Sequence, residues 1–114
     1  MATLCLKGYG DINHIANIIR TELSTKNGVS CTLVDEVKRI IGNSTVFVMV
    51  FEKYYARASN RVSLTISISS DGDIIYVDAI SAGGGQGWVF KLDWGAEQEF
   101  VAVIKTILAP YNFE

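Results

Sequence analysis

The sequence has few of the residues from which catalytic and metal centres are usually built. Its 114 residues include one histidine, two cysteines and one proline. Cys5 and Cys31 form no Cys-x-x-Cys motif and no Cys/His cluster, which argues against zinc-finger and thioredoxin-like sites. We therefore predict no metal, no cofactor and two reduced thiols, with a Cys5–Cys31 disulfide as the less favoured alternative.

The chain also lacks an excess of charge and a long apolar run. Ten Lys and Arg residues stand against twelve Asp and Glu residues, a net charge of −2. This charge gives no overall attraction for a phosphate backbone. No apolar stretch of about 18 residues could span a bilayer, and Met1–Gly10 does not resemble a secretory signal. We expect a cytoplasmic protein that binds neither nucleic acid nor membrane.

The residues that are present favour an ordered globular chain. Apolar residues make up 49% and charged residues 19%, and the length predicts one domain over residues 1–114. Hydrophobic periodicity predicts two amphipathic helices and five or six strands. In chain order these are a strand Thr3–Lys7, a helix from Asp11 to about Lys26-Asn27-Gly28, strands Ser30–Ile40, Thr45–Phe51, Arg61–Ser69 and Ile74–Ser81, a short sixth strand Trp88–Leu92, and a helix from Asp93 or Trp94 to Pro110.

Turn residues indicate how these strands are connected, and their apolar and charged patterns indicate where they lie in the sheet. Gly42-Asn43 and Asp71-Gly72 separate strand patterns in the way that tight hairpins require. The charged strand Ser30–Ile40 is typical of a half-exposed edge, whereas Thr45–Phe51 is continuously apolar and therefore central or covered on both faces.

Adjacent antiparallel strands with separate helices belong to the α+β class. We predict a curved antiparallel sheet of five or six strands with both helices packed on one face, in the order β-α-β-β-β-β-(β)-α. The other side of the sheet, rich in Ser and Thr, is expected either to face solvent or to be buried against a second copy.

The glycine-rich stretch SAGGGQGWVFKLDWG, residues 81–95, raises the question of a phosphate loop. Phosphate-binding glycines lead directly into a helix N-terminus, but here the glycines precede a strand-like Trp-Val-Phe-Lys-Leu. The spacing matches neither common nucleotide-binding pattern. A bend or flap is favoured over ligand contact, with Gln86 as the side chain best able to bind a ligand.

The segment EKYYARASNR, residues 52–61, combines tyrosines with basic residues around the connection between two strands. Such mixtures can stack on planar ligands and pair with anions. The structural alternative is that strand alternation sends Tyr54 and Tyr55 to opposite faces, where each covers one side of the sheet. The structural interpretation is favoured, yet this is the best candidate patch in the chain.

Enzymatic activity is disfavoured because no nucleophile turn or paired acid motif is present. Asp35 and Glu36 should point to opposite faces of their strand. An enzyme would need distant polar residues, such as His14, Asp78 and Asp93, to converge in one cleft. We predict no catalytic residue and interpret His14 as a surface residue. Asp78 is a candidate for a partly buried carboxylate that needs a partner such as an arginine.

Residues 51–108 resemble a group of small bacterial proteins classed only as a domain of unknown function. The resemblance is carried by FEKYYARASNR, the SAGGGQG loop and DWGA before an amphipathic helix. It implies a bacterial α+β protein with no assigned activity or catalytic residues. A looser similarity, in element order alone, is to helix-grip proteins of the pollen-allergen and lipid-transfer type, which implies an apolar cavity beneath the last helix.

Two functional hypotheses follow. The first is a binding module for a small, mostly apolar ligand held between the sheet and the C-terminal helix. The second is an interaction protein without a cavity, in which aromatic residues and the Ser/Thr face form a homodimer or partner interface. The candidate site residues are Tyr54, Tyr55, Arg57, Arg61, Gln86, Trp88 and Trp94.

Overall fold

The structure is a computed structural model that describes residues 2–25, 31–55, 60–83 and 90–114, with side chains described except at 25, 55, 60 and 90–97. It contains five strands and two α-helices. In chain order they are β1 (Ala2–Tyr9), α1 (Ile12–Thr25), β2 (Thr32–Ile41), β3 (Ser44–Tyr55), β4 (Asn60–Asp71), β5 (Ile74–Gly83) and α2 (Phe90–Leu108), followed by a 3₁₀ turn (Ala109–Tyr111).

The strands form one antiparallel sheet in the order β1-β5-β4-β3-β2. Both predicted hairpins are confirmed: two-residue loops join β2 to β3 and β4 to β5, and Gly42 and Gly72 occupy the first loop positions with φ of 58° and 62°. Positive φ at these positions suits glycine, which lacks a Cβ. The predicted α+β class is therefore confirmed, and β2 is an edge strand as its charges predicted.

One face of the sheet carries the core. Cross-strand partners share a face, and the row Leu6, Val77, Ile68 and Phe47 is buried across four neighbouring strands. Helix α2 contacts β1, β4 and β5, whereas α1 contacts β2, β4 and α2. Both helices therefore cover this side of the sheet, which we call the helix face. The opposite side, the open face, has no helix packed on it in the described part of the chain.

The first helix forms as its pattern predicts. The Asp11 side chain accepts a hydrogen bond from the amide of Asn13 at 3.0 Å, which satisfies one of the unpaired donors at a helix start. The predicted apolar stripe is fully buried and consists of Ile12, Ile15, Ala16, Ile19 and Leu23. The predicted stop at Lys26-Asn27-Gly28 lies outside the described residues.

The prediction of a sixth strand over Trp88–Leu92 was wrong for its described part. Phe90, Lys91 and Leu92 are the first residues of α2, which therefore begins earlier than Asp93. A mostly apolar run of five residues is too short to distinguish strand from helix. Here these residues extend a 19-residue helix, and Pro110 follows its end as expected.

Candidate functional site

The two edges of the sheet differ in what covers them. At β1, the amide of Lys7 donates to the carbonyl of Glu114 at 3.1 Å, and the amide of Glu114 donates to the carbonyl of Lys7 at 3.0 Å. The C-terminal residues therefore continue the sheet beyond β1 for one residue pair. The Phe113 ring packs so closely over Gly8 that a Cβ there would lie 2.7 Å from it.

The edge strand β2 is, by contrast, rich in exposed apolar side chains. Val34, Val37, Ile40 and Ile41 expose 53%, 52%, 68% and 60% of their surface. Val37 and Ile41 lie on the open face, and Val34 is the extra residue of a β-bulge opposite β3. Exposed β-branched residues on an edge strand are a common basis for strand pairing with another chain.

The charges of β2 are segregated on either side of Val37. Asp35 and Glu36 precede it, whereas Lys38 and Arg39 follow it. Strand alternation places Asp35 and Arg39 on the open face and Glu36 and Lys38 on the helix face, which confirms that Asp35 and Glu36 point in opposite directions.

Glu36 connects the edge strand to α1. Arg20 donates from Nε to Glu36 Oε1 at 2.9 Å and from Nη2 to Oε2 at 2.6 Å, a two-point pairing of guanidinium and carboxylate. The hydrogen bonds from the guanidinium to Glu36 raise the pKa of Arg20 above its ordinary value. This contact fixes β2 beneath α1 from the helix face.

Two other charged residues of β2, Asp35 and Lys38, have their own contacts. The Asp35 carboxylate accepts a hydrogen bond from the amide of Glu36 at 2.8 Å. The Lys38 ammonium lies 3.3 Å from Asn13 Oδ1 and 5.4 Å from the centre of the Phe47 ring. The side chain of Lys38 is thus directed towards the helix layer.

The open face mixes hydroxyl and apolar side chains. Ser63, Thr65, Ser67 and Ser69 alternate along β4 as predicted, and the neighbouring strands contribute exposed apolar residues, among them Val48 (37% exposed), Tyr76 (39%) and Ile80 (44%).

Asp78 lies on this face between Cys5 and Ser67. Its side chain is half-buried, as predicted, but its partner is the Cys5 thiol rather than an arginine: the hydrogen bond to Asp78 raises the pKa of that thiol. Both cysteines are free, as expected, and burial raises the pKa of Cys31 to about 11.

The structure brings two of the predicted site residues together. Tyr54 and Arg61 are cross-strand partners at one end of the open face. The Tyr54 ring is 55% exposed, and Arg61 Nη1 lies 3.7 Å from Glu52 Oε1. Glu52–Tyr55 belong to β3, so only residues 56–59 of EKYYARASNR lie between the described strands.

The other predicted site residues lie beyond what the structure describes, in whole or in part. Tyr55 is placed only as a backbone partner of Asn60, and Trp94 only as a residue of α2. Arg57, Gln86 and Trp88 lie outside the described ranges. The glycine loop and the grouping of these side chains therefore stay predictions.

The described part of the space between the sheet and α2 is filled with side chains. Phe100, Ile104 and Leu108 project from α2 and are fully buried, as are Phe51 and Leu64 of the sheet. A groove of about 430 Å³ instead lies on the outer surface of the helix layer, between α1 and the end of α2, where Ile18 and Ile107 form part of its wall.

The residues considered for catalysis do not converge where they are described. His14 is exposed on α1 and packs edge-on against Tyr111 at 6.0 Å, whereas Asp78 lies on the open face, across the sheet. Within the ranges that the structure covers, no group of three or more His, Cys, Asp or Glu residues could hold a metal ion. None of the helices described there combines the length and the apolar character needed to cross a membrane.

The comparisons place the chain in a family. The model of DUF6054, a family of unknown function, matches residues 1–112. The chain belongs to this family. The predicted resemblance to an uncharacterised family is thus confirmed, while bacterial origin and the likeness to helix-grip proteins stay predictions. No curated protein matches the chain.

Sequence reasoning noted the charges of β2 but did not single out its exposed apolar residues. Residues 34–41, VDEVKRII, combine four large apolar residues with one acidic pair, Asp35-Glu36, and one basic pair, Lys38-Arg39. Their number on a strand already interpreted as an edge was the available signal.

Proposed function

We propose that this protein is a self-associating interaction protein whose contact surface is the edge strand β2. The observation that carries the proposal is the concentration of exposed apolar side chains on that one strand, where Val34, Val37, Ile40 and Ile41 are each more than half exposed. Burying such side chains against a second copy removes apolar area from water.

The contrast with β1 supports a second copy as the occupant. The chain covers part of its other edge with its own C-terminal residues, through the Lys7–Glu114 pairing. Among the described residues no further strand pairs with the outer edge of β2. Its apolar side chains are exposed, and a second strand would replace the local hydrogen bond from the Glu36 amide to the Asp35 carboxylate.

Analytical ultracentrifugation from about 1 to about 100 µM tests this proposal, a range in which a moderately stable dimer would form. We expect concentration-dependent dimers. Ile40→Lys should weaken them at least about tenfold, because lysine on an edge strand opposes pairing. Ile80→Lys, on the open face of β5, is the matched control and should leave association unchanged. A wild-type monomer at the highest concentration would contradict the proposal.

A ligand-binding module is the second candidate, and one observation favours it. Ser81 is fully buried on the helix face, and its hydroxyl has no hydrogen-bond partner in the described structure. A polar group of a small, mostly apolar ligand between sheet and α2 would satisfy this hydroxyl.

Native mass spectrometry of the purified protein tests the ligand proposal. A ligand carried through purification should appear as added mass that Ser81→Ala reduces. Protein of the bare chain mass in both variants, with Ser81→Ala at least as stable as the wild type, would count against a ligand. A cytoplasmic location, with which the two free thiols agree, remains part of either proposal.

A further inference from the structure

The order of charges on β2 determines how two copies of this strand could pair. In antiparallel self-pairing with Val37 opposite Val37 of the second copy, each acidic residue on one side of Val37 meets a basic residue from the other side. Asp35 then lies opposite Arg39, and Glu36 opposite Lys38. By symmetry each of these pairs occurs twice, and opposite charges on paired strands attract.

Other alignments of the same strands are disfavoured by the same charges. A shift by two residues in one direction places Glu36 opposite Glu36, and a shift in the other places Lys38 opposite Lys38. Parallel pairing in register would place all four charged residues opposite like charges. Like charges directly opposite one another destabilise a sheet, so the charges select one register.

The backbone is compatible with this register. Ile41 and Ser44 flank a two-residue hairpin loop and therefore form a hydrogen-bonded pair with each other. Alternation then directs the backbone groups of Val37 and Arg39 towards β3, and those of Glu36 and Lys38 away from it. The amide of Glu36 accordingly donates to the Asp35 carboxylate and not to β3, and the Lys38 carbonyl of the second copy would replace that carboxylate as its acceptor.

The apolar residues of β2 favour the same register as the charges. In the same alignment Val34 lies opposite Ile40, so two of the exposed aliphatic side chains become neighbours. Val37, on the symmetry axis, gains the second Val37.

We propose that two copies of the chain join edge to edge through antiparallel β2 strands with Val37 on the two-fold axis, forming one continuous sheet of ten strands. This inference rests on the proposed self-association through β2. Both helix layers would then lie on one side of the joined sheet, and the two open faces would form one surface on the other.

Disulfide trapping tests the register. At a non-hydrogen-bonded antiparallel pair the Cα atoms lie about 4.5 Å apart, within the range of a disulfide. In a Cys5→Ser background, Val37→Cys should form covalent dimers on mild oxidation. Val48→Cys, on the neighbouring strand of the same face, should remain monomeric on a non-reducing gel. Cys31 is kept, because it is buried and its pKa of about 11 makes it unreactive.

Charge reversal tests the pairing independently. Asp35→Arg should weaken the dimer by roughly tenfold or more, and adding Arg39→Asp should restore the dissociation constant to within about threefold of the wild type. Both residues are exposed, and circular dichroism checks that each variant folds.

The outcomes separate the two proposals. Cross-linking at Val37 with rescue by the double variant supports the register. Wild-type dimers without cross-linking at Val37, or without rescue, overturn the register and leave self-association intact. A monomeric wild type overturns both.

Discussion

The two edge strands of this sheet, β1 and β2, differ in how their outer sides are covered. At β1 the chain covers part of its own edge: Glu114 pairs with Lys7, and the Phe113 ring lies over Gly8. At β2 the edge is held from behind by the Arg20–Glu36 contact, while its outer side carries exposed valine and isoleucine. An edge with unpaired backbone groups invites pairing, and this difference is the basis for proposing β2 as the contact surface.

The largest effect is expected from removing the cover over β1. Phe113→Ala deletes a side chain that is only 6% exposed, and we expect a loss of about 2–4 kcal/mol in the free energy of unfolding. Urea denaturation measures it. Hydrogen exchange at the amides of Lys7 and Glu114 should accelerate, because the ring no longer holds the C-terminal residues in place.

Phe113→Ala should also change the size of the assemblies that the protein forms. Once β1 is uncovered, the sheet has two bare edges, and Phe113→Ala should form assemblies larger than the wild-type species by ultracentrifugation. Tyr111→Ala, at an exposed position in the same segment, is the control and should change neither stability nor assembly size appreciably. Unchanged exchange at Lys7 in Phe113→Ala would show that the ring does not maintain the edge.

A smaller loss of stability is expected from breaking the contact between α1 and β2. Arg20→Ala removes a two-point contact whose side chains are 33% and 21% exposed, and we expect a loss of about 1 kcal/mol, since partial exposure to solvent weakens ion pairs. Arg20→Lys keeps the positive charge but not the planar guanidinium that makes two hydrogen bonds. Its stability should therefore lie between those of Arg20→Ala and the wild type. Urea denaturation below the dimerisation range measures both. Equal stability of all three proteins would mean that this contact does not fix the edge strand.

The local parts of the fold could be predicted from the sequence. The stripe from Ile12 to Leu23 and the Asp71-Gly72 turn are each determined by neighbouring residues, so the α1 and β4–β5 patterns were confirmed. The residues Phe90–Leu92 were misassigned because a short apolar run is ambiguous until the helix that follows it is known.

The candidate site was harder to predict because it depends on contacts between distant segments. Nothing near Lys7 in the sequence indicates that Glu114 will pair with it. The predicted first strand ended at Lys7, whereas β1 continues to Tyr9 and places Gly8 beneath the Phe113 ring, which is far along the chain. The prediction that β2 is an edge was confirmed, but proposing it as an interface required knowing that β1 is partly covered. The grouping of Tyr54 with Arg61 followed from strand register, which a sequence pattern fixes only once the hairpin is known.

The pairing of β1 with β5 has a consequence for the order of folding. β2 to β5 are joined to their sheet neighbours by hairpin or sequential connections, but the register of β1 matches Ala2 with Ser81 and Tyr9 with Ile74. Closing so long a loop costs entropy before any contact compensates for it. We therefore expect β1 to be among the last strands to join the sheet. Until it does, the edge of β5 can pair with a strand from a neighbouring molecule.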